Sequence, residues 1–300
     1  MSDQTGRTTV VTGCTIGGLG YHAALELARR GGRVVLAGRS SDRLVAAEEK
    51  IRHELPGAVL DQLVVDLADL TSVRLAASAA RSVGPIHCLV NNAGVMATPY
   101  ARTADGFEQQ LATNHLGPFL LTGLLLPQLV ESGGGRVVAV SSLAHRLARR
   151  APLGDPRRQE GRYLRWPAYA ATKLANLLFT LELDRRLRGA ELPVRALAAH
   201  PGLAGTHLIA NGRFGRSTGG AASIVDAASR ALHQSPAWGA LPLLMAATAD
   251  LPGGTYCGPG GPGETRGLPQ VVGVSRAARD EHASRELWEV SARAVGLSYP

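Results

Sequence analysis

Strands and helices take turns along most of the chain, and this alternation predicts an α/β fold: a doubly wound parallel sheet with helices on both faces. The predicted strands are short apolar runs, each followed by a longer helical segment. A glycine-rich turn comes directly after the first strand, where such a sheet opens into a helix. The composition agrees, because 45% of the residues are apolar and only 4% aromatic, which suits close packing of helices on a sheet.

The alternation is regular as far as residue 199. The predicted strands are residues 8–11, 33–37, 59–65, 86–90, 136–140 and 194–199. The predicted helices are residues 21–30, 42–55, 70–82, 105–130 and 168–188. The first helix, for example, stops at Gly31-Gly32, because glycine favours the end of a helix.

The rest of the chain is predicted to be mainly helical. Helices are expected at residues 219–233, 239–249 and 276–294, with a Gly/Pro-rich surface loop at 252–269. No internal repeat or clear linker appears, and too little chain follows the loop to form a second core. We therefore expect one domain that spans residues 1–300.

Charge and cysteine content argue against several kinds of partner. The net charge is +8, but the arginines are scattered among acidic residues, so we expect no nucleic-acid or membrane partner. Cys14, Cys88 and Cys257 lie far apart without metal-ligand spacing, which fits a reducing cytoplasm and no metal site. A short polar stretch precedes the first strand, and the longest apolar run, residues 116–130, contains two prolines, so no membrane anchor is expected.

Tyr169 and Lys173 form a candidate acid–base pair. The chain has only two lysines among its 32 basic residues, and one of them stands four residues after Tyr169. Positions i and i+4 project from the same face of a helix, so the phenol and the ammonium would lie side by side. A nearby cation favours phenolate, so we expect Lys173 to lower the pKa of Tyr169 from the ordinary phenol value of about 10.

The turn at residues 12–20 reads Thr-Gly-Cys-Thr-Ile-Gly-Gly-Leu-Gly. It follows a predicted strand and opens a predicted helix. Glycines in this position let the backbone approach a pyrophosphate at the N-terminus of the helix. The turn is therefore a candidate dinucleotide-binding loop.

Together with this loop, four further motifs make the chain resemble the short-chain dehydrogenase/reductase family. They are Asn-Asn-Ala-Gly at residues 91–94, Asn114, the pair Ser141-Ser142 with the later Tyr-x-x-x-Lys, and His-Pro-Gly at 200–202. The stretches 141–145, 169–176, 200–202 and 253–261 are most similar to the branch of retinol dehydrogenases and related carbonyl reductases. The resemblance implies a Rossmann-type fold that binds NAD or NADP and moves a hydride between the nicotinamide and a carbonyl or alcohol.

The resemblance implies catalytic roles for four residues. Tyr169 would exchange the substrate proton, while Lys173 lowers its pKa and bonds the nicotinamide ribose. Ser142 would hydrogen-bond the substrate oxygen, and Asn114 would hold a water that links Lys173 to solvent. Donors aimed at this oxygen stabilise the negative charge that builds there in the transition state. Ser141, by contrast, is expected only to cap the turn that follows it.

The resemblance also implies cofactor contacts from every turn at one edge of the sheet. Asp66-Leu67 should contact the adenine, and Thr206 should reach the carboxamide. The full set is Gly13, Thr15, Gly18, Leu19, Gly20, Arg39, Asp66, Leu67, Asn91, Ala93, Gly94, Tyr169, Lys173, Pro201, Gly202 and Thr206.

The register of the glycine-rich loop is open. The family has three residues between its first two glycines, whereas alignment on Gly18-Leu19-Gly20 leaves four, from Cys14 to Gly17. Either the loop carries a one-residue insertion, or Gly17 takes the second position. We favour the insertion, because Gly18-Leu19-Gly20 leads directly into the predicted helix.

Gly38-Arg39, at the end of the second strand, favours NADP over NAD. An NAD site has a carboxylate there for the ribose hydroxyls, whereas an arginine binds the 2′-phosphate of NADP. The alternative is an ordinary exposed arginine, which is common in this chain.

Three further expectations concern the surroundings of the site. Residues 143–168 form an arginine-rich insertion, which we expect to be a solvated loop at the mouth of the site; the alternative is a basic lip that attracts anionic substrates. Residues 203–218 are glycine-rich and are the expected substrate lid. The resemblance suggests a homodimer through the predicted helices 105–130 and 168–188.

The sequence thus favours an NADP-preferring oxidoreductase. Its substrate would be a small molecule, either an apolar or aromatic carbonyl compound that it reduces or the corresponding alcohol that it oxidises. The alternative is a non-catalytic NADP-binding module that senses redox state or binds a partner. The complete Asn, Ser, Tyr and Lys set speaks against this alternative, because a retired active site has no need of all four.

Overall fold

One mostly parallel sheet forms the centre of the computed structural model, which describes residues 1–158, 161–203 and 234–300. The strands in this part of the chain are β1 (Thr8–Thr12), β2 (Arg33–Gly38), β3 (Leu60–Val64), β4 (Cys88–Asn91), β5 (Gly135–Val140), β6 (Val194–Ala199), β7 (Tyr256–Pro259) and β8 (Pro269–Val271). Their order in the sheet is β3-β2-β1-β4-β5-β6-β7-β8, and every pair except β7 and β8 is parallel. The predicted doubly wound sheet is confirmed.

Helices cover both faces of this sheet. Those in the described ranges are α1 (Leu19–Arg29), α2 (Ser41–Glu54), α3 (Leu70–Ala79), α4 (Gln109–Leu111), α5 (Gly117–Glu131), α6 (Arg165–Gly189), α7 (Pro236–Thr248) and α8 (Glu281–Val295). The predicted helix 105–130 is interrupted, because a π-helical turn, Ala112–Leu116, joins α4 to α5. The helix predicted at 168–188 begins three residues earlier, at Arg165.

The strand order reverses at β1, which pairs with β2 on one side and with β4 on the other. In open α/β sheets, ligands bind outside the carboxyl ends of the strands at such a switch point. The turns that follow β1, β4, β5 and β6 all lie at this edge, because these strands are parallel. These turns contain most of the predicted site residues.

Alternate side chains of each strand pack on opposite faces. Val10 and Val11 of β1 are both fully buried, but they belong to different hydrophobic clusters. One cluster includes side chains of α3, α5, α6 and α8, and the other includes those of α1, α2 and α7. Burial on both faces explains why the predicted strands read as continuous apolar runs.

The segment 252–269, expected to be a surface loop, contains β7 and leads into β8. β7 pairs with β6 at Ala198 and Ala199, and β8 turns back antiparallel to β7. Its glycines and prolines carry no strand periodicity, so the expectation was wrong for a physical reason. The segment forms a strand because the edge of β6 offers backbone groups for pairing.

The C-terminal helix α8 packs over α5 and α6 through one aromatic cluster. Trp288 is 2% exposed, and its ring centroid lies 4.9 Å from that of Phe119 and 5.9 Å from that of Phe179. Tyr299 closes the cluster at 4.7 Å from the indole. The guanidinium of Arg186 lies over the indole at 4.5 Å.

This packing conflicts with the dimer expected through α5 and α6. Between residues 172 and 184 of α6, every residue is buried except one that is partly buried. A dimer through this part of α6 would require α8 and its neighbours to move away. The middle of α6 therefore has no free surface for the dimer that the resemblance suggests.

Some expectations fall on residues outside the described ranges. They are Thr206, the lid at 203–218 beyond Leu203, and the helix at 219–233. Within the described ranges, none of the helices has both the length and the apolar character that crossing a bilayer requires.

Replacing Trp288 with alanine should lower the free energy of unfolding by about 3–5 kcal/mol, because it removes the centre of a buried aromatic cluster. Urea unfolding followed by circular dichroism measures this change. The control is Trp238→Ala, because Trp238 is 49% exposed and its loss should change stability by less than about 0.5 kcal/mol. Equal effects at the two positions would contradict the packing role of Trp288.

Candidate active site

The glycine-rich loop packs directly against the turn after β4. The hydroxyl of Thr12 accepts hydrogen bonds from the backbone N–H groups of Asn92 (3.0 Å) and Ala93 (2.9 Å). Gly13 has φ +79°, and a Cβ there would lie 2.9 Å from Ala93 Cα. A Cβ on Gly20 would lie 2.5 Å from Asn92 Nδ2. Only glycine fits at these two positions.

The same loop supports the one-residue insertion. Gly17 has φ +77°, and Gly18 is the extended N-cap of α1, which begins at Leu19. The N–H of Gly18 donates to the carbonyl of Thr15 at 2.9 Å. Gly20 lies in the first turn of α1 and packs on the turn after β4, as the third glycine of a dinucleotide loop does. Gly18 and Gly20 therefore fit the second and third glycine positions.

The expected adenosine-binding residues lie at the ends of β2 and β3. Arg39 is exposed, and its side chain makes no hydrogen bond or ion pair with another residue in the described ranges. Ser40 caps α2 by accepting the N–H of Arg43. Asp66 and Leu67 follow β3, which pairs with β2 in register. The three predicted positions thus share one edge of the sheet.

Asn91, expected to line the cofactor, directs its side chain elsewhere. It is 4% exposed, and its Nδ2 donates to Thr122 Oγ on α5 at 2.9 Å. This bond fixes β4 to α5. Ala93 and Gly94 continue from β4 into the crevice, where a Cβ on Gly94 would lie 3.6 Å from Lys173 Nζ.

Asn114 lies in the π-helical turn and is 1% exposed. Its Oδ1 accepts the N–H of Val95 at 2.8 Å, and its Nδ2 donates to the carbonyl of Val95 at 2.9 Å and to Thr172 Oγ at 3.0 Å. The side chain therefore ties the turn after β4 to α6. Single π-helical turns within helices are frequent at functional sites.

Ser142, and not Ser141, has the capping role that was expected of Ser141. Ser142 caps the 3₁₀ helix Leu143–Leu147 by accepting the N–H of Ala144 at 3.2 Å, and it lies close enough to Tyr169 to lower the pKa of the phenol. Ser141 is 2% exposed and donates to the main-chain carbonyl of Lys173 at 2.8 Å. The expectation that Ser141 caps was wrong, because its side chain points into the protein toward α6.

Tyr169 and Lys173 share one face of α6, as their spacing predicts. They are 7% and 5% exposed, and Lys173 Nζ lies 5.6 Å from the centroid of the phenol ring. Nζ donates to the carbonyl of Val140, the last residue of β5, at 3.0 Å. Asn176 Nδ2 donates to the same carbonyl at 3.0 Å. Two side chains of α6 are therefore anchored to one strand end.

Burial dominates the pKa values of this pair. It raises the pKa of Tyr169 to about 12, against a hydrogen bond with Ser142 that acts in the opposite direction. Burial lowers the pKa of Lys173 to about 8. The expected lowering of the tyrosine pKa by Lys173 is not what this arrangement gives, because the ammonium is held on Val140 and both groups have lost their water. At neutral pH the phenol is protonated and the lysine is charged.

The turn at residues 200–202 lies against the connection between β7 and β8. Gly202 has φ +65°, and a Cβ there would overlap the carbonyl of Thr265. The N–H of Leu203 donates to the same carbonyl at 2.8 Å. This turn therefore has a fixed neighbour, which the sequence motif alone does not identify.

Several contacts attach the arginine-rich insertion to the body of the protein, and two of them involve Arg157 and Tyr163. The guanidinium of Arg157 lies 4.5 Å from the centroid of the Phe107 ring. The hydroxyl of Tyr163 donates to Glu108 at 2.9 Å and accepts from Gln110 Nε2 at 2.6 Å. The insertion is therefore more than a solvated loop in the part that the structure describes.

Trp166 is a candidate site residue that no sequence motif marks. Its side chain is 51% exposed, and its ring lies 6.1 Å from the ring of Tyr169 at an interplanar angle of 85°. The available signal was its position three residues before Tyr169 on the same helix. It places an exposed aromatic ring beside the candidate catalytic phenol.

Comparison with known proteins agrees with this geometry. The sequence pattern described as short chain dehydrogenase matches residues 7–152. Retinol dehydrogenase 13 of Homo sapiens is 40% identical, over 98% of this chain and 86% of that protein. A solved structure from Mycobacterium paratuberculosis is 41% identical with a TM-score of 0.82, and covers 100% of this chain and 97% of that one. A structure from Beutenbergia cavernae with bound NADP is 27% identical with a TM-score of 0.61, and covers 81% and 90%.

The chain belongs to the short-chain dehydrogenase/reductase family. Within that family it lies in the retinol-dehydrogenase-like branch, and it is an NAD(P)-dependent oxidoreductase that acts on alcohol or carbonyl groups.

The residues of the crevice fit a dinucleotide. Gly13 and Gly20 let the loop pack closely on the turn after β4 beside the N-terminus of α1, where phosphates are favoured by N–H groups and the helix dipole. At the other end, the space beside Gly94 is bounded by Lys173 Nζ, a donor suited to ribose hydroxyls. Within the described ranges, no group of three or more His, Cys, Asp or Glu side chains is arranged to hold a metal ion.

Proposed function

We propose that the protein is an NADP-preferring oxidoreductase that reduces apolar or aromatic carbonyl compounds or oxidises the corresponding alcohols. The observation that carries this proposal is the convergence of three side chains at the carboxyl end of β5. Ser142 lies close enough to Tyr169 to lower the pKa of its phenol, and Lys173 is anchored one turn along the same helix on the last carbonyl of the strand. This set can hold a substrate oxygen and move a proton to or from it.

Tyr169 is the proposed general acid of the reduction. Burial keeps its phenol protonated well above neutral pH, so the proton is available when the carbonyl oxygen gains charge. Oxidation runs the same transfer in reverse and is favoured as rising pH populates phenolate. When bound, the nicotinamide supplies or accepts the hydride.

Ser142 is proposed to hold the substrate oxygen beside Tyr169. Its partly exposed hydroxyl lies close enough to the phenol to lower the pKa of Tyr169, so an oxygen placed next to both donors would have its developing charge stabilised. Lys173, charged below its pKa of about 8, is proposed to donate to the nicotinamide ribose from one turn along the helix. Asn114 uses its side-chain groups on Val95 and Thr172, so the predicted water contact would fall to its main-chain carbonyl.

The preference for NADP is supported by Arg39. Its exposed guanidinium has no protein partner in the described ranges and lies beside the capped N-terminus of α2. A phosphate at this position would gain charge-assisted hydrogen bonds from the arginine and a favourable interaction with the helix dipole.

An apolar or aromatic substrate is supported by the side chains around Tyr169. Trp166 and Leu164 precede it and are 51% and 52% exposed. Exposed large apolar side chains next to a catalytic group are suited to covering an apolar ligand.

We also propose that the chain forms one domain. In this proposal residues 203–218 are the substrate lid, and residues 143–168 are the outer wall of the site.

A reducing compartment such as the cytoplasm is supported by the state of the cysteines. Cys14, Cys88 and Cys257 are free and buried. Burial raises the pKa of Cys14 and of Cys88 to about 12, so neither thiol is prone to ionise and react.

Replacing Tyr169 with phenylalanine should lower kcat by about 100- to 10,000-fold, because it removes the proton donor. The affinity for NADPH, measured by fluorescence titration, should change little. The matched control is Tyr299→Phe, since the Tyr299 hydroxyl donates to the carbonyl of Phe119 away from the crevice. Unchanged turnover in Tyr169→Phe would contradict the mechanism. Tight NADPH binding by the wild type without turnover of any carbonyl would instead favour a non-catalytic binding module.

Replacing Arg39 with alanine should raise the KM for NADPH by about 10- to 100-fold and leave the KM for NADH nearly unchanged, because a charged hydrogen bond contributes about 1.5–3 kcal/mol. Steady-state kinetics with both cofactors measures the change. Arg30→Ala, at an exposed arginine after α1, is the control. Equal loss with the two cofactors, or no loss, would contradict recognition of the 2′-phosphate.

Replacing Trp166 with alanine should raise the KM for aromatic ketones by about tenfold, because an apolar contact of this size contributes on the order of 1–3 kcal/mol. The KM for a short aliphatic aldehyde should change much less. A kinetic comparison of these two substrates measures the difference. Leu75→Ala removes a side chain that is 67% exposed on α3 and serves as the control. An equal effect on both substrates would contradict a role in substrate recognition.

A further inference from the structure

Glu264 joins three segments that surround the proposed site. Its Oε1 lies 2.6 Å from Arg146 Nη2, and its Oε2 lies 3.0 Å from His200 Nε2. Arg146 belongs to the 3₁₀ helix that Ser142 caps, and His200 follows β6. Glu264 itself ends the short 3₁₀ helix between β7 and β8 and is 19% exposed. One carboxylate therefore connects the substrate side of the site to the cofactor side.

The hydrogen bonds of His200 define its tautomer. The side chain is 0% exposed, and its Nδ1 accepts the backbone N–H of Gly202 at 3.2 Å. An acceptor nitrogen carries no proton, so the proton of a neutral ring must be on Nε2. Nε2 then donates to Glu264. Burial lowers the pKa of His200 to about 4, so the ring stays neutral.

The backbone around Glu264 is shaped for this contact. Glu264 has φ +57°, a left-handed conformation that is uncommon for a residue with a Cβ. A Cβ on Gly258 would overlap the His200 ring, and a Cβ on Gly202 would overlap the carbonyl of Thr265. Such a conformation persists where the surrounding structure holds it, and it occurs often at functional sites.

We propose that Glu264 is a positioning residue for the nicotinamide end of the cofactor. It fixes the His200 tautomer, and the histidine in turn holds the N–H of Gly202 and so the turn at 200–202. The salt bridge to Arg146 holds the 3₁₀ helix that Ser142 caps in a fixed position relative to this turn. This inference rests on the proposed function for the identity of the ligand. It also removes Arg146 from the arginines available to a basic lip, because its charge is already paired.

The chain offers a substitution that separates this role from folding. Glycine adopts a φ near +57° without strain, so Glu264→Gly removes the carboxylate and leaves the backbone conformation accessible. Glu264→Gln keeps a side-chain oxygen that can accept from His200 Nε2. Glu191→Gly is the matched control, because Glu191 is exposed and has φ +55° at the end of α6.

The test measures NADPH affinity by fluorescence titration together with kcat, KM and thermal stability. Glu264→Gly should fold, weaken NADPH binding by about tenfold or more and lower kcat, because a charge-assisted bond to the histidine is lost. Glu264→Gln should restore affinity to within about threefold of the wild type, since it keeps the acceptor. Glu191→Gly should match the wild type in both. Wild-type affinity in Glu264→Gly, or loss of affinity in Glu264→Gln equal to that in Glu264→Gly, would overturn the proposal.

A second measurement tests the proposal even if Glu264→Gly fails to fold. Long-range ¹H–¹⁵N correlation spectra of the wild type should show His200 as the neutral Nε2–H tautomer at neutral pH. A neutral Nδ1–H tautomer or a protonated ring would overturn the proposal. Because this signature needs no substrate, it stands apart from the proposed function, which fails separately if the wild type turns over no carbonyl or alcohol.

Discussion

The buried ammonium of Lys173 is the constraint on which the rest of the site depends. A buried charge is costly unless it is paired or hydrogen-bonded, and among the described residues Lys173 Nζ donates to the carbonyl that ends β5. The carbonyl of Val140 accepts hydrogen bonds from both Lys173 and Asn176, and these bonds fix α6 against the strand. Tyr169 then lies one turn earlier on the same face, beside Ser142, which follows β5. The requirement to satisfy one cation thus determines where the phenol meets the edge of the sheet.

Close approach of backbones determines the remaining half of the crevice. Glycines 13 and 20 let the first turn and the first helix contact the turn after β4. Gly94 leaves room beside Asn114 and Lys173. On the far side, Glu264 holds the turn after β6 through His200. Close backbone contacts at the glycines therefore form one end of the site, and the polar network of Glu264 and His200 forms the other end.

The sequence predicted β1 to β6 and most helices, because buried parallel strands and amphipathic helices leave clear periodic patterns. β7 and β8 left no such pattern, since they are only four and three residues long and contain glycine and proline. That Ser142 rather than Ser141 caps the next turn depends on which face a residue presents after the strand ends. The high pKa of Tyr169 depends on burial, which spacing along a helix does not reveal. One sequence signal indicated that α8 covers α6: residues 174–181 contain no charged group, as expected of a helix segment buried on every side.

The direct test of the account is the pKa of Tyr169, measured as the difference in phenolate absorbance between wild type and Tyr169→Phe during a pH titration. In the free protein the phenol should titrate at about 12, because burial outweighs the hydrogen bond from Ser142. Binding of NADP⁺ should shift the titration to lower pH, because a positively charged nicotinamide held beside Lys173 would favour phenolate. Substitution of Lys173 by methionine should reduce that shift. Titration near neutral pH in the free protein, or no response to the cofactor, would contradict the account.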